Sequence, residues 1–134
     1  MTFSTPTTLL SATPVPMVGV ILFAHGSRDV LWRAPIEAVA TTMRERQPDT
    51  LVRCAYLELC EPSLPDAASA FVASGCRHLK IFPLFLGVGK HAREDLPVLV
   101  AQIRTDYPDV SVELMATAGE SPALIALMAE LALA

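Results

Sequence analysis

Apolar residues fall into four blocks along the chain, and the stretches between them change period. Residues 18–26, VGVILFAHG, form an unbroken apolar run that closes on His-Gly. A run without alternation suits a strand covered on both faces, as in a parallel sheet. From residue 31 to 46, Leu31, Ala34, Ile36, Ala38, Val39 and Met43 recur at near-helical spacing until Gln47-Pro48-Asp49 stops the pattern, which predicts a helix. A second strand is expected over 51–59, LVRCAYLEL, ended by Glu61-Pro62. Ser63 then has the character of an N-cap for a small-residue helix, DAASAFVAS, that runs to Gly75. The third strand, HLKIFPLFL over 78–86, leads through Gly87 and Gly89 into a helix from His91 to Asp106. The alternating stretch VSVELMA over 110–116 predicts the fourth strand, and Ser121 with Pro122 opens a final helix.

Strands alternating with helices imply an α/β fold: a three-layer sandwich with a four-stranded parallel sheet, right-handed crossovers and helices on both faces. The expected strand order is 2-1-3-4. The Ser-, Thr- and Pro-rich opening, residues 1–17, is expected to be a flexible extension, and residues 18–134 a single domain. The opening has neither the charge pattern nor the continuous apolar core of a secretory signal or membrane anchor.

Composition narrows the function. The chain is 52% hydrophobic and 18% charged, with mean hydropathy +0.45; that apolar surplus suggests a buried subunit interface, and a homodimer is the expectation. A net charge of −4 argues against nucleic acid as a partner, because phosphate binding needs a basic face. Cys54, Cys60 and Cys76 form no CxxC pair. They read as reduced packing residues of a cytoplasmic protein.

In open parallel sheets ligands bind beyond the carboxyl ends of the strands, near the switch in strand order. With the order 2-1-3-4, His25 after the first strand lies between Glu58 at the end of the second and His91 past the third. Two imidazoles and a carboxylate on one rim could hold a divalent transition metal with coordination positions left open. Each also has a plainer reading, as a hydrogen-bonded loop histidine or a surface carboxylate. In HGSRD, Gly26 permits close backbone approach and Arg28 offers planar recognition of carboxylates; an Arg28 to Asp29 surface pair is the alternative. Lys90 and Arg93 flank His91 and would join Arg28 in a positive patch, or serve as solvated helix-end charges. Phe85, Leu86 and Val88 are candidates for the wall of a flat apolar ligand, although most phenylalanines here suit the core. His78, at the opposite end of its strand, is read as structural.

The segments ILFAHGSRD, AYLELCEPSLPDA and FPLFLGVGKHAREDLP, in that order, resemble the small sirohydrochlorin chelatases of the CbiX type, over about residues 18–133. The resemblance implies insertion of Co²⁺ or Fe²⁺, with Ni²⁺ also suited to the ligands, into the octacarboxylate tetrapyrrole sirohydrochlorin. That step lies on the way to cobalamin or sirohaem. Metal-binding histidines would fall on His25 and His91, and the motif glutamate on Glu58. His25, His91 or Glu58 would accept the pyrrole protons, and the metal would be substrate, with no further cofactor. Short members resemble homodimers that rebuild the cleft of two-domain relatives. Where the family commonly has two glycines before the second histidine, this chain has Gly89-Lys90.

Two other enzyme classes fit poorly: the chain has no GxSxG elbow of an α/β-hydrolase, and Ala24 stands where a histidine phosphatase needs arginine. A non-catalytic metal carrier or sensor using the same histidines is the remaining alternative.

Overall fold

The computed structural model describes residues 17–134. Strands β1 (Val18–Ala24), β2 (Leu51–Tyr56), β3 (His78–Pro83) and β4 (Ser111–Leu114) form one sheet. All pairings are parallel and the order is β2-β1-β3-β4, as the alternation of elements predicts. Four helices alternate with them: α1 (Ala34–Arg46), α2 (Leu64–Ala73), α3 (Lys90–Asp106) and α4 (Pro122–Leu133). Short 3-10 turns at Val30–Arg33 and Ala118–Glu120 precede α1 and α4. The extension expected over residues 1–17 lies, apart from Met17, outside the described residues.

The unbroken apolar run of β1 has the cause inferred for it. Its alternate side chains enter two cores: Ile21 and Phe23 face α2 and α3, whereas Val20 and Leu22, with Val52 of β2, pack with Ala40 of α1. Full burial of such a side chain contributes roughly 1.5–3 kcal/mol, so β1 is the strand the sheet can least afford to lose. The first core is the larger, with Leu64, Ala67 and Phe71 from α2 and Leu96, Val100 and Ile103 from α3. Helix starts follow the caps read from the sequence. Ser63 Oγ accepts from Asp66 N at 3.2 Å and Ser121 Oγ from Leu124 N at 3.4 Å.

The strands stop earlier than the apolar runs. β1 ends at Ala24 rather than Gly26, β2 at Tyr56 rather than Leu59, and β3 at Pro83 rather than Leu86. Apolar content does not distinguish a ladder residue from a loop residue that packs above the sheet. Pairing nevertheless continues beyond the strands: Leu57 N donates to Ala24 O at 2.9 Å, Glu58 N to His25 O at 3.0 Å and Leu84 N to Phe23 O at 2.7 Å. The three loops therefore leave the sheet side by side.

Gly26 makes this departure possible. Its φ is +107°, and a Cβ there would lie 1.8 Å from the Glu58 carbonyl oxygen. Gly26→Ala should therefore lower unfolding stability by at least about 2 kcal/mol, read as a fall in the denaturant midpoint. An unchanged midpoint would mean that the two loops are not pressed together.

Candidate active site

The continued pairing places two functional side chains in contact. Because Glu58 N bonds to His25 O, the residues sit at matching heights beyond adjacent strands, and His25 Nε2 lies 3.1 Å from Glu58 Oε2. Both side chains are about half exposed, 48% and 49%, so the pair contributes little to stability. Its value is orientation. With Nε2–H donated to the carboxylate, the imidazole is held in one plane and Nδ1 keeps the lone pair a metal ion would need. The carboxylate is equally placed to receive a proton through the ring.

His91 stands on the same edge of the sheet, in the first turn of α3, and is exposed. It is not drawn into contact with the pair: among the described residues no group of three or more His, Cys, Asp and Glu side chains is arranged to hold a metal ion. Two of the three expected ligands thus meet, and the third faces solvent from the first turn of α3. Gly89 is the N-cap of α3 and supplies no side-chain cap, so the helix opens with free backbone donors. Lys90 and His91 sit at this positive end of the helix dipole.

Arg28 and Lys90 are exposed and make no side-chain hydrogen bond among the described residues. Arg93 is exposed as well, but Nη1 donates to Val88 O at 3.1 Å and so also braces the loop. Lys90, in the position where two glycines were the family expectation, is the first residue of α3 and leaves the loop turn to Gly87 and Gly89.

The expected apolar wall is redistributed. Phe85 is 9% exposed and packs edge-on against Phe23 with ring centroids 6.0 Å apart, as a core residue. Its carbonyl is fixed by Gly119 N at 2.8 Å. Val88 is half-buried against the core, and only Leu86 of the three stands out, 67% exposed. Sequence reasoning overlooked other apolar residues on this rim: Val30, Leu31 and Trp32 in the turn after β1, and Leu59 beside Glu58, all exposed. A signal was present, since three consecutive large apolar residues cannot all face inward from one helical turn. Leu31 was instead the expected start of the first helix; it belongs to the 3-10 turn capped by Asp29, whose Oδ1 accepts from Leu31 N at 2.9 Å.

Tyr56 supports both loops. Its backbone N–H donates to Pro62 O at 2.9 Å, closing the segment that carries Glu58, and its ring meets Trp32 edge-on at 6.2 Å. Burial, followed by the nearby Cys54 and Glu37, pushes its hydroxyl up to about 12. Burial also raises the Cys54 and Cys76 thiols, in keeping with packing roles.

A sequence model of the CbiX family matches residues 19–133. The chain belongs to the CbiX family. This CbiX chain is 32% identical over 101 residues to the chloroplastic sirohydrochlorin ferrochelatase of Arabidopsis thaliana, a match covering 75% of this chain and 45% of that one. It is 33% identical over 84 residues to the sirohydrochlorin cobaltochelatase of Methanopyrus kandleri, covering 63% and 59%. The chain thus spans about half the length of these curated relatives. A crystal structure of a CbiX protein from Marinobacter aquaeolei superimposes with a TM-score of 0.74 at 30% identity, covering 86% of this chain and 93% of that one. Among the described residues no helix is long and apolar enough to cross a membrane.

The Tyr56 environment sets an alkaline limit. The folded hydroxyl keeps its proton to about pH 12, whereas an unfolded tyrosine loses it near its ordinary value of 10. Its contribution is complete below pH 10 and is lost as pH rises from 10 to 12, a loss of about 2–3 kcal/mol by the upper end. Denaturant melts across this range should show the decline in the parent protein and a flatter profile in Tyr56→Phe. Parallel profiles would refute the assignment.

Proposed function

We propose that this protein inserts a divalent metal, Co²⁺ or Fe²⁺, into sirohydrochlorin. The observation that carries the reading is the His25–Glu58 contact at the ligand edge of a parallel sheet, 3.1 Å long and open to solvent. The family membership and the names of the related chelatases support it. Insertion joins the metal dication to the ring and releases two pyrrole protons. His25 receives the metal at Nδ1 while Glu58 fixes the ring, and His91 supplies a second imidazole from the first turn of α3. Neutral imidazoles suit Co²⁺, Fe²⁺ and Ni²⁺, and a site with open positions allows the ion to leave for the macrocycle. As the ion passes from His25 to the macrocycle, Nδ1 is freed to take one pyrrole proton as general base, with Glu58 stabilising the imidazolium, and the second proton leaves through His91 or to solvent.

The surrounding rim suits an octacarboxylate macrocycle. Arg28, Lys90 and Arg93 meet ring carboxylates, and Arg28 offers two parallel donors to one of them. Leu86, Val88, Leu31 and Leu59 provide apolar contact to the ring face, with Phe85 beneath them holding the loop. The metal is substrate, and no further cofactor is called for. One chain presents an open shelf, so we place the working enzyme as a homodimer in the cytoplasm, in which a second copy closes the other side of the ring.

Purified protein mixed with sirohydrochlorin and Co²⁺ should shift the pigment's visible absorbance far faster than the metal alone. Retention of metal with the uncatalysed pigment rate would identify a carrier instead. His25→Ala and His91→Ala should each reduce the insertion rate about 100-fold or more, with unfolding midpoints near the parent's because both side chains are exposed. A variant working at the parental rate removes that histidine from the mechanism. Glu58→Gln should cost about 10–100-fold, and Arg28→Ala should raise KM for the pigment with kcat little changed.

A further inference from the structure

We propose that Leu59 is a positioning residue: its left-handed backbone holds the Glu58 carboxylate against His25, a role separate from the apolar contact its side chain offers. This role deepens the chelatase reading above and rests on it. Among the described residues Leu59 is the one residue other than glycine with a positive φ, +71°. In that region Cβ crowds the next carbonyl oxygen, and the conformation is roughly tenfold disfavoured for a leucine. Packing within the chain does not account for the choice, because the side chain is 47% exposed and belongs to neither core. Glycine adopts positive φ without the penalty, and Gly26 does so at +107° on the other side of the same contact.

The turn at Leu59 decides where Glu58 points. In an extended chain Leu57 and Leu59 would share one face, with Glu58 on the other. Leu57 packs against the larger core while Leu59 stands out at the rim, so the alternation breaks between them. The chain must also reverse here, since Pro62 O accepts from Tyr56 N at 2.9 Å and Ser63 bridges to Tyr56. Residues 57–61 are thus tied at their base to Tyr56 and, through Glu58 N, to His25 O. The rotation at Leu59 joins the two ties. Among the described residues the Glu58 carboxylate has no hydrogen bond besides the one to His25, so its direction is set by the backbone that carries it. A leucine in the left-handed well has little room to move, whereas a glycine populates both signs of φ. The strained residue therefore keeps the loop in one shape, with Glu58 Oε2 at 3.1 Å from His25 Nε2.

Two substitutions separate the backbone from the side chain. Asparagine tolerates the left-handed region but lacks the apolar chain; valine keeps an apolar chain, but its branched Cβ opposes that region. Leu59→Asn should leave kcat for Co²⁺ insertion into sirohydrochlorin near the parent's while KM rises. Leu59→Val should lower kcat about tenfold or more and speed hydrogen exchange of the Glu58 amide by about the same factor. The reverse ranking, valine near the parent and asparagine impaired in kcat, overturns the positioning role and leaves only the apolar contact. If Leu59→Val does not fold, Leu59→Asn decides alone: parental kcat and parental Glu58 exchange support the role, and loss of both overturns it. A parent protein that inserts no metal defeats the chelatase reading, not this one, because amide exchange needs no substrate. Equal Glu58 exchange in the parent and both variants overturns the positioning role in either case.

Discussion

The site depends on two backbone hydrogen bonds, Leu57 N to Ala24 O and Glu58 N to His25 O, which extend the β1–β2 ladder past the last strand residues. They are neutral amide bonds, each modest in net stability. Their consequence is positional: residues 33 apart in the chain are held at the same height, and their side chains meet at 3.1 Å. Gly26 is the condition for this arrangement, because any side chain there would occupy the space of the Glu58 carbonyl.

The packing beneath explains why the loops can hold such positions. β1 fills both cores at once, Phe85 is locked against Phe23 beneath the third loop, and Tyr56 supports Trp32 above the edge. Polar groups project from a rim whose lower layer is close-packed hydrocarbon. Precision therefore comes from burial below the rim, and the half-exposed His25 and Glu58 sit at the boundary between that packed layer and solvent. A deeper pair would be more rigid, but closed to any ligand from outside.

The rim also divides its labour between charge and apolar surface. Arg28, Lys90 and Arg93 are exposed cations in an acidic chain, the last two in the first turn of α3, where the helix dipole of its unsatisfied backbone donors adds to their charge. The exposed leucines lie on the same three loops. Among the described residues Arg28 and Lys90 make no side-chain hydrogen bond, and α4 buries none of its residues.

The sequence alone determined the order of elements and the parallel sheet, because an unbroken apolar run, a 3.6-residue period and Ser-Pro helix starts each have few structural solutions; the strand order 2-1-3-4 was an expectation that the tertiary structure met. It also placed His25, Glu58 and His91 after the strands whose ends share one edge. Tertiary structure alone decided which of them touch: strand ends are set by backbone pairing and by Gly26, not by hydropathy, so the runs looked longer than the ladders. It likewise sent Phe85 inward and Leu31 and Leu59 outward, since apolar residues on a loop read alike until the packing beneath them is known.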